Sequence, residues 1–135
     1  MLGGFVSEKM IFGDVSTGAS NDLKEATDLA RRMVTKYGMS ELGPVTFGQS
    51  DGLAYLGRDI ATERNYSESV AAKIDHEVSR FVLAAQEMAQ RVLKGNAKAL
   101  DAIARNLIEK ETLEQEEFYE VLKPFKIKPI AFHSA

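Results

Sequence analysis

Cysteine is absent from the 135 residues, which removes a disulfide framework, a thiolate zinc site, an iron–sulfur cluster and a cysteine nucleophile together. Histidine is scarce: with two in the chain, a Ser-His-acid triad has no ready base. An excess of one charge is missing too. Seventeen Lys and Arg stand against twenty Asp and Glu, a net charge of -3, too mild to steer the chain toward nucleic acid or anionic lipid. No apolar run approaches the roughly eighteen residues of a membrane span, and Met1-Leu2-Gly3-Gly4 lacks the basic region and cleavage site of a signal peptide, so a soluble chain is expected. No glycine leads into a Gly-Lys-Ser or Gly-Lys-Thr ending, which excludes a phosphate-binding loop. What remains is ordinary globular material, 44% hydrophobic and 27% charged without internal repeats, of a length for one domain able to pack a core without crosslinks.

Helical periodicity dominates. Leu2, Val6, Met10 and Ile11 form a short helix-spaced set ending at Gly13-Asp14. Ser16, Thr17, Gly18 and Ser20 are capping and turn residues ahead of a strongly periodic stretch that runs to Tyr37 and stops at Gly38. Gly43-Pro44, Gly48, Gly52 and Gly57 then punctuate two short runs, Val45-Thr46-Phe47 and Ala54-Tyr55-Leu56, which fit a small hairpin or loop insertion over residues 43–66. Ser67 caps the longest helix, whose apolar positions Val70, Ile74, Val78, Phe81, Ala85, Met88 and Val92 recur until Gly95-Asn96. A further helix carries Leu100, Ile103, Leu107 and Ile108. The last is opened by Thr112 with Gln115 in the pattern of a capping box and is stopped by Pro124. The expectation is a mainly α fold: a helical bundle of about four to five helices with the insertion after the first long one.

On a helical wheel, Leu23, Ala26, Leu29, Ala30, Met33, Val34 and Tyr37 fill one arc, and Lys24, Glu25, Asp28, Arg31, Arg32 and Lys36 the opposite one. Asp22 breaks the division. It falls in the first helical turn yet within the apolar arc, the one ionisable group so placed, and a carboxylate aimed at a core needs partners to stay charged. Free helix amides with the positive end of the helix dipole would serve, and so would a metal ion. The histidines add no site. His76-Glu77-Val78-Ser79-Arg80 superficially matches a His-Glu-x-x-His zinc helix, but Arg80 stands where the second imidazole belongs, and His76 points away from the apolar positions. His133 lies in the terminal tail. Glu116-Glu117 and Glu109 with Glu111 read as solvated faces rather than glycosidase dyads. Phe125 to Phe132 alternates apolar and basic residues, suiting a short edge strand, a docked segment or a solvated terminus.

The run Ile11-Phe12-Gly13-Asp14-Val15-Ser16-Thr17-Gly18-Ala19-Ser20-Asn21-Asp22-Leu23, followed by Ala26-Thr27, Ala30-Arg31 and Met33-Val34-Thr35, closely resembles the FtsH family of ATP-dependent zinc metalloproteases. The likeness continues through Tyr37-Gly38-Met39-Ser40, Leu42-Gly43-Pro44, Leu56-Gly57-Arg58-Asp59, Tyr66-Ser67, Ile74-Asp75, Glu77-Val78 and Glu109-Lys110-Glu111-Thr112-Leu113. It implies an FtsH-type peptidase-domain helical portion over residues 1–122, followed by a tail over 123–135. It also implies that Asp22 is the third ligand of a zinc ion whose two histidines lie on an earlier helix. The family's Gly-Gly-Arg-x-x-Glu-Glu lead-in appears as Gly3-Gly4-Phe5-Val6-Ser7-Glu8-Lys9, and one residue is missing between Glu41 and Leu42.

These residues contain no His-Glu-x-x-His helix, ATPase module or membrane anchor. The resemblance therefore implies the C-terminal helical portion of a zinc metalloendopeptidase, excised or a short relative, with no peptidase activity of its own. One carboxylate is too little for selective zinc binding, so zinc and ATP are expected to act through upstream segments. The partners implied are those segments, further copies in a hexameric ring and unfolded protein substrates. The location implied is the cytoplasmic face of a bacterial inner membrane, or an organelle membrane. The competing expectation is a non-catalytic FtsH-related interaction or oligomerisation module.

Overall fold

The computed structural model describes residues 1–48 and 65–127. Among them are five α-helices, α1 (Leu2–Phe12), α2 (Thr17–Thr35), α3 (Glu68–Gly95), α4 (Ala97–Lys110) and α5 (Gln115–Leu122), with a 3-10 turn at Lys123–Phe125 and no strand. The expected mainly α bundle is therefore what forms. Val45-Thr46-Phe47 is not a strand; the partner run Ala54-Tyr55-Leu56 lies outside the described residues, as do His133 and most of the alternating tail. Phe47 is instead held by a helix end, its N–H donating to the Thr35 carbonyl at 2.8 Å. Chain ends of helices leave carbonyls unpaired, and this one is satisfied from the following segment. Asn65 then bonds Gly48 reciprocally, its Oδ1 accepting from the Gly48 N–H at 2.9 Å and its Nδ2 donating to the Gly48 carbonyl at 3.2 Å.

Two compact units make up the chain, Met1–Ala89 and Gln90–Ala135, the boundary falling within α3. In the first, α1 ends at Gly13, whose φ of 75° is the left-handed geometry of a helix C-cap. Ser16 then caps α2, its side chain accepting from the Ala19 N–H. The two helices form an antiparallel pair: Gly4 faces Asp22, and further along α1 the Glu8 carboxylate accepts from the Ser16 N–H at 2.8 Å and the Ser16 hydroxyl at 3.1 Å. The wheel of α2 holds except at Tyr37, which lies past the helix end and is exposed. Ala30 and Val34 are buried, whereas Lys24, Glu25, Asp28, Arg31, Arg32 and Lys36 are exposed. Ala30 and Val34 pack with Ile74 and Val78 of α3, and Leu42, Phe47, Tyr66, Val70, Phe81 and Val82 close around them. Val34 and Ile74 have essentially no accessible surface, so this cluster is the core of the unit.

In the second unit α4 and α5 pack against each other. The capping box of α5 is two residues later than the sequence pattern suggests. Its N-cap is Glu114, whose partner is Glu117, not Thr112 with Gln115. Glu111 adopts a left-handed φ of 63° after α4, leaving Thr112 in the connecting turn, and Lys110 reaches Glu117 at 2.6 Å, which favours that glutamate at the third helical position. Pro124 sits in the 3-10 turn and ends the helical path.

Candidate functional site around Asp22

Asp22 is half-buried on α2. Because α2 begins at Thr17, the residue lies in its second turn, not its first, and the opening turn carries no acidic side chain. The correction matters chemically. Free amides are confined to the start of a helix, and there the Ser16 hydroxyl already occupies one of them, so α2's own terminus does not supply Asp22 with its partner. Among the described residues no hydrogen bond or ion pair reaches its carboxylate. One oxygen, Oδ2, lies against Gly4 of α1, 3.2 Å from the position a Cβ there would take. Asp22 is thus a preplaced acceptor on a rigid helix, with capacity left for a cation.

His76 is exposed, as its place on the wheel of α3 implied. It lines an open depression of about 440 Å³ with Glu41, Leu42, Ala72, Lys73 and Glu77. Its neighbour Glu77 is different: only 4% accessible, it is the one buried charged residue among those described. Arg80 engages it twice, Nε donating to Oε1 at 3.0 Å and Nη2 to Oε2 at 2.7 Å, and the Glu41 N–H donates to Oε2 at 3.2 Å. These bonds, chiefly those from Arg80, hold the Glu77 carboxyl below its ordinary range against the opposing effect of burial. Arg80 also lies over the Phe81 ring, 5.0 Å from its centroid. The pair therefore clasps the segment after α2 to α3 and is committed to structure. The wheel of α3 carries the signal for Glu77, which borders the apolar line of Ile74, Val78 and Phe81.

Glu109, Glu111 and Glu116 are exposed, as expected, but Glu117 is half-buried and bound to Lys110, which lowers its pKa. Among the described residues no three His, Asp or Glu side chains converge on a common point that could hold a metal. Asp22 is not among the residues that line the depression at His76.

The sequence pattern of Peptidase family M41 matches residues 1–121. The chain belongs to peptidase family M41. It is 49% identical over 133 residues to the ATP-dependent zinc metalloprotease FtsH 1 of Thermoanaerobacter sp. (strain X514), covering 98% of this chain and 22% of that protein. It is 50% identical over 119 residues to the ATP-dependent zinc metalloprotease FtsH of Bacillus subtilis (strain 168), with 87% and 19% covered. Against the enzyme of the same name from Chloroflexus aggregans the identity is 48% over 132 residues, with 96% and 20% covered. The chain spans about a fifth of the length of the curated relatives it matches. Their names specify zinc, and the M41 residues here fit it in one respect: Asp22 is an oxygen donor without a protein partner among the described residues, suited to be one ligand of a site but not a whole one. No helix among the described residues is long and apolar enough to cross a membrane.

Proposed function

We propose that this chain is the C-terminal helical portion of an FtsH-type zinc metallopeptidase domain, in which Asp22 is the third protein ligand of the zinc ion. The observation that carries the reading is the position of its carboxylate: half-buried, past the free amides of α2, and without a protein partner among the described residues. A carboxylate so situated has acceptor capacity that a cation can use, and relatives at about half identity are zinc proteases by name. When bound, zinc would polarise a peptide carbonyl and lower the pKa of a water molecule. The work of this chain is to hold the carboxylate: α2 fixes its height, the core around Val34 and Ile74 fixes α2, and α1 closes over its side. In this reading the two histidines and the glutamate base come from an earlier helix of the domain, and Asp22 alone does not make a peptidase site.

Residues 1–122 form the peptidase-domain portion and 123–135 a tail. The complete protein carries an ATPase module, assembles as a hexameric ring at a membrane and takes unfolded polypeptides. Ring packing is supported by apolar side chains left exposed, Ile11 and Phe12 in the first unit and Ile108 in the second.

The test uses the protein expressed from its whole reading frame. Asp22→Ala should lose bound zinc, measured by atomic emission, and lose cleavage of casein, while its helical circular dichroism stays as in the wild type. Asp28→Ala, on the exposed face of α2, should keep both. Wild-type zinc content in Asp22→Ala would refute the assignment.

A further inference from the structure

Two adjacent glycines open α1, and they differ in what they face. A Cβ on Gly3 would meet nothing within 4 Å, whereas one on Gly4 would stand 3.2 Å from Oδ2 of Asp22. That is closer than carbon and oxygen ordinarily pack, so an added methyl would oblige the carboxylate to retreat by a few tenths of an ångström. We infer that Gly4 is a positioning residue for Asp22: its missing side chain is the slot in which the carboxylate rests. The inference rests on the reading of Asp22 as a zinc ligand.

The neighbouring helices cannot absorb the shift cheaply. On α1, Leu2 and Val6 flank Gly4 and are 8% and 3% accessible, anchoring that helix on both sides of the slot. One turn further, the two bonds from Ser16 to the Glu8 carboxylate hold α1 against the start of α2. On α2, Ala19 and Ala30 are buried before and after Asp22. Strain from a Cβ at Gly4 therefore falls on the torsions of the aspartate. Metal–ligand distances tolerate only about 0.2 Å, and functional constellations about 0.5 Å, so a displacement of this size matters for coordination though not for folding. Glycine in a helix is unfavourable relative to alanine, and Gly3 and Gly4 are neighbours in the first turn of α1, where alanine favours the helix at either position. The pair is thus an internal control, in which only Gly4 trades helix propensity for room at the carboxylate.

Two measurements test this. In the chain itself, Gly3→Ala should raise the melting temperature and Gly4→Ala should fall below it; with Asp22→Ala added to each, the two should become equivalent because the opposing oxygen is gone. Persistence of the difference without Asp22 would overturn the contact. In the full-length protein, zinc affinity from competition with a fluorescent chelator should weaken about tenfold in Gly4→Ala, as for other groups that orient a metal ligand, and stay at the wild-type value in Gly3→Ala. The visible spectrum of the cobalt-substituted protein should change in Gly4→Ala alone, a signature that mere loss of stability does not produce. If Asp22→Ala keeps its zinc, the ligand reading falls and this inference with it. If Asp22→Ala is zinc-free but Gly4→Ala binds as wild type, the role of Gly4 alone is refuted. Should Gly4→Ala fold poorly, recovery of helicity in the Asp22→Ala double variant supports the clash, and no recovery overturns it.

Discussion

Glu77 and Asp22 are two acids on apolar faces with opposite fates. Glu77 is saturated by Arg80 and the Glu41 N–H, so its charge is spent on holding the segment after α2. Asp22 has no such partner among the described residues and stays available. Because the folded-state pKa of Glu77 is depressed below its ordinary 4.5, the stability it contributes is complete above that value and is lost as pH falls through the folded pKa. Glu77→Gln should lower the melting temperature by several degrees at neutral pH and flatten its decline as the pH falls below the ordinary 4.5 of a glutamate. Parallel acid-dependent melts of the two proteins would contradict the clasp. At this scale Asp22 was legible, because a carboxylate within an apolar arc is a local anomaly. The partners of Glu77 were only half legible: Arg80 stands three residues on, but Glu41 comes from a segment 36 residues away.

Helix ends carried much of the correct sequence reading, and one of its errors. Gly13, Ser16 and Ser67 all stand at helix boundaries as their residue types suggest, since each satisfies or frees a terminal backbone group locally. Gly38 ends the α2 region with more at stake than a turn. Its φ is 61° and a Cβ would lie 3.1 Å from the Pro44 Cα, a backbone atom that cannot swing aside. Gly38→Ala should cost about 1 to 3 kcal/mol in urea unfolding; a midpoint equal to wild type would show that the turn yields. The start of α5 differs from the Thr112–Gln115 expectation because two acidic or polar pairs satisfy the same spacing rule. Lys110, across the connecting turn, favours the one containing Glu117.

Residues 1–121 match a peptidase family, yet the described residues supply one candidate zinc ligand. Purified as it stands and given zinc, it should leave casein intact on gels over hours in which a full-length relative degrades it. Cleavage abolished by a chelator would require a complete metal site within these residues. The helical architecture was legible at this scale because periodicity reports burial, and burial on one face is what a packed helix needs. Of the hairpin or loop expected over residues 43–66, Val45 to Phe47 take the loop form, the carbonyl of Thr35 accepting the N–H of Phe47 that a strand would have paired with a neighbour.

Amino-acid order alone determined the helices, most of their ends, the family and the aspartate that stands out of pattern, because each depends on residues within a few turns of one another. Tertiary structure decided that Asp22 lies beyond the free amides of its helix and against Gly4, that Glu8 ties α1 to the cap of α2, and that Glu77 is buried and spent. Those outcomes join groups distant along the chain, and which of several acids meets a cation, an amide or open space is chosen only when the helices pack.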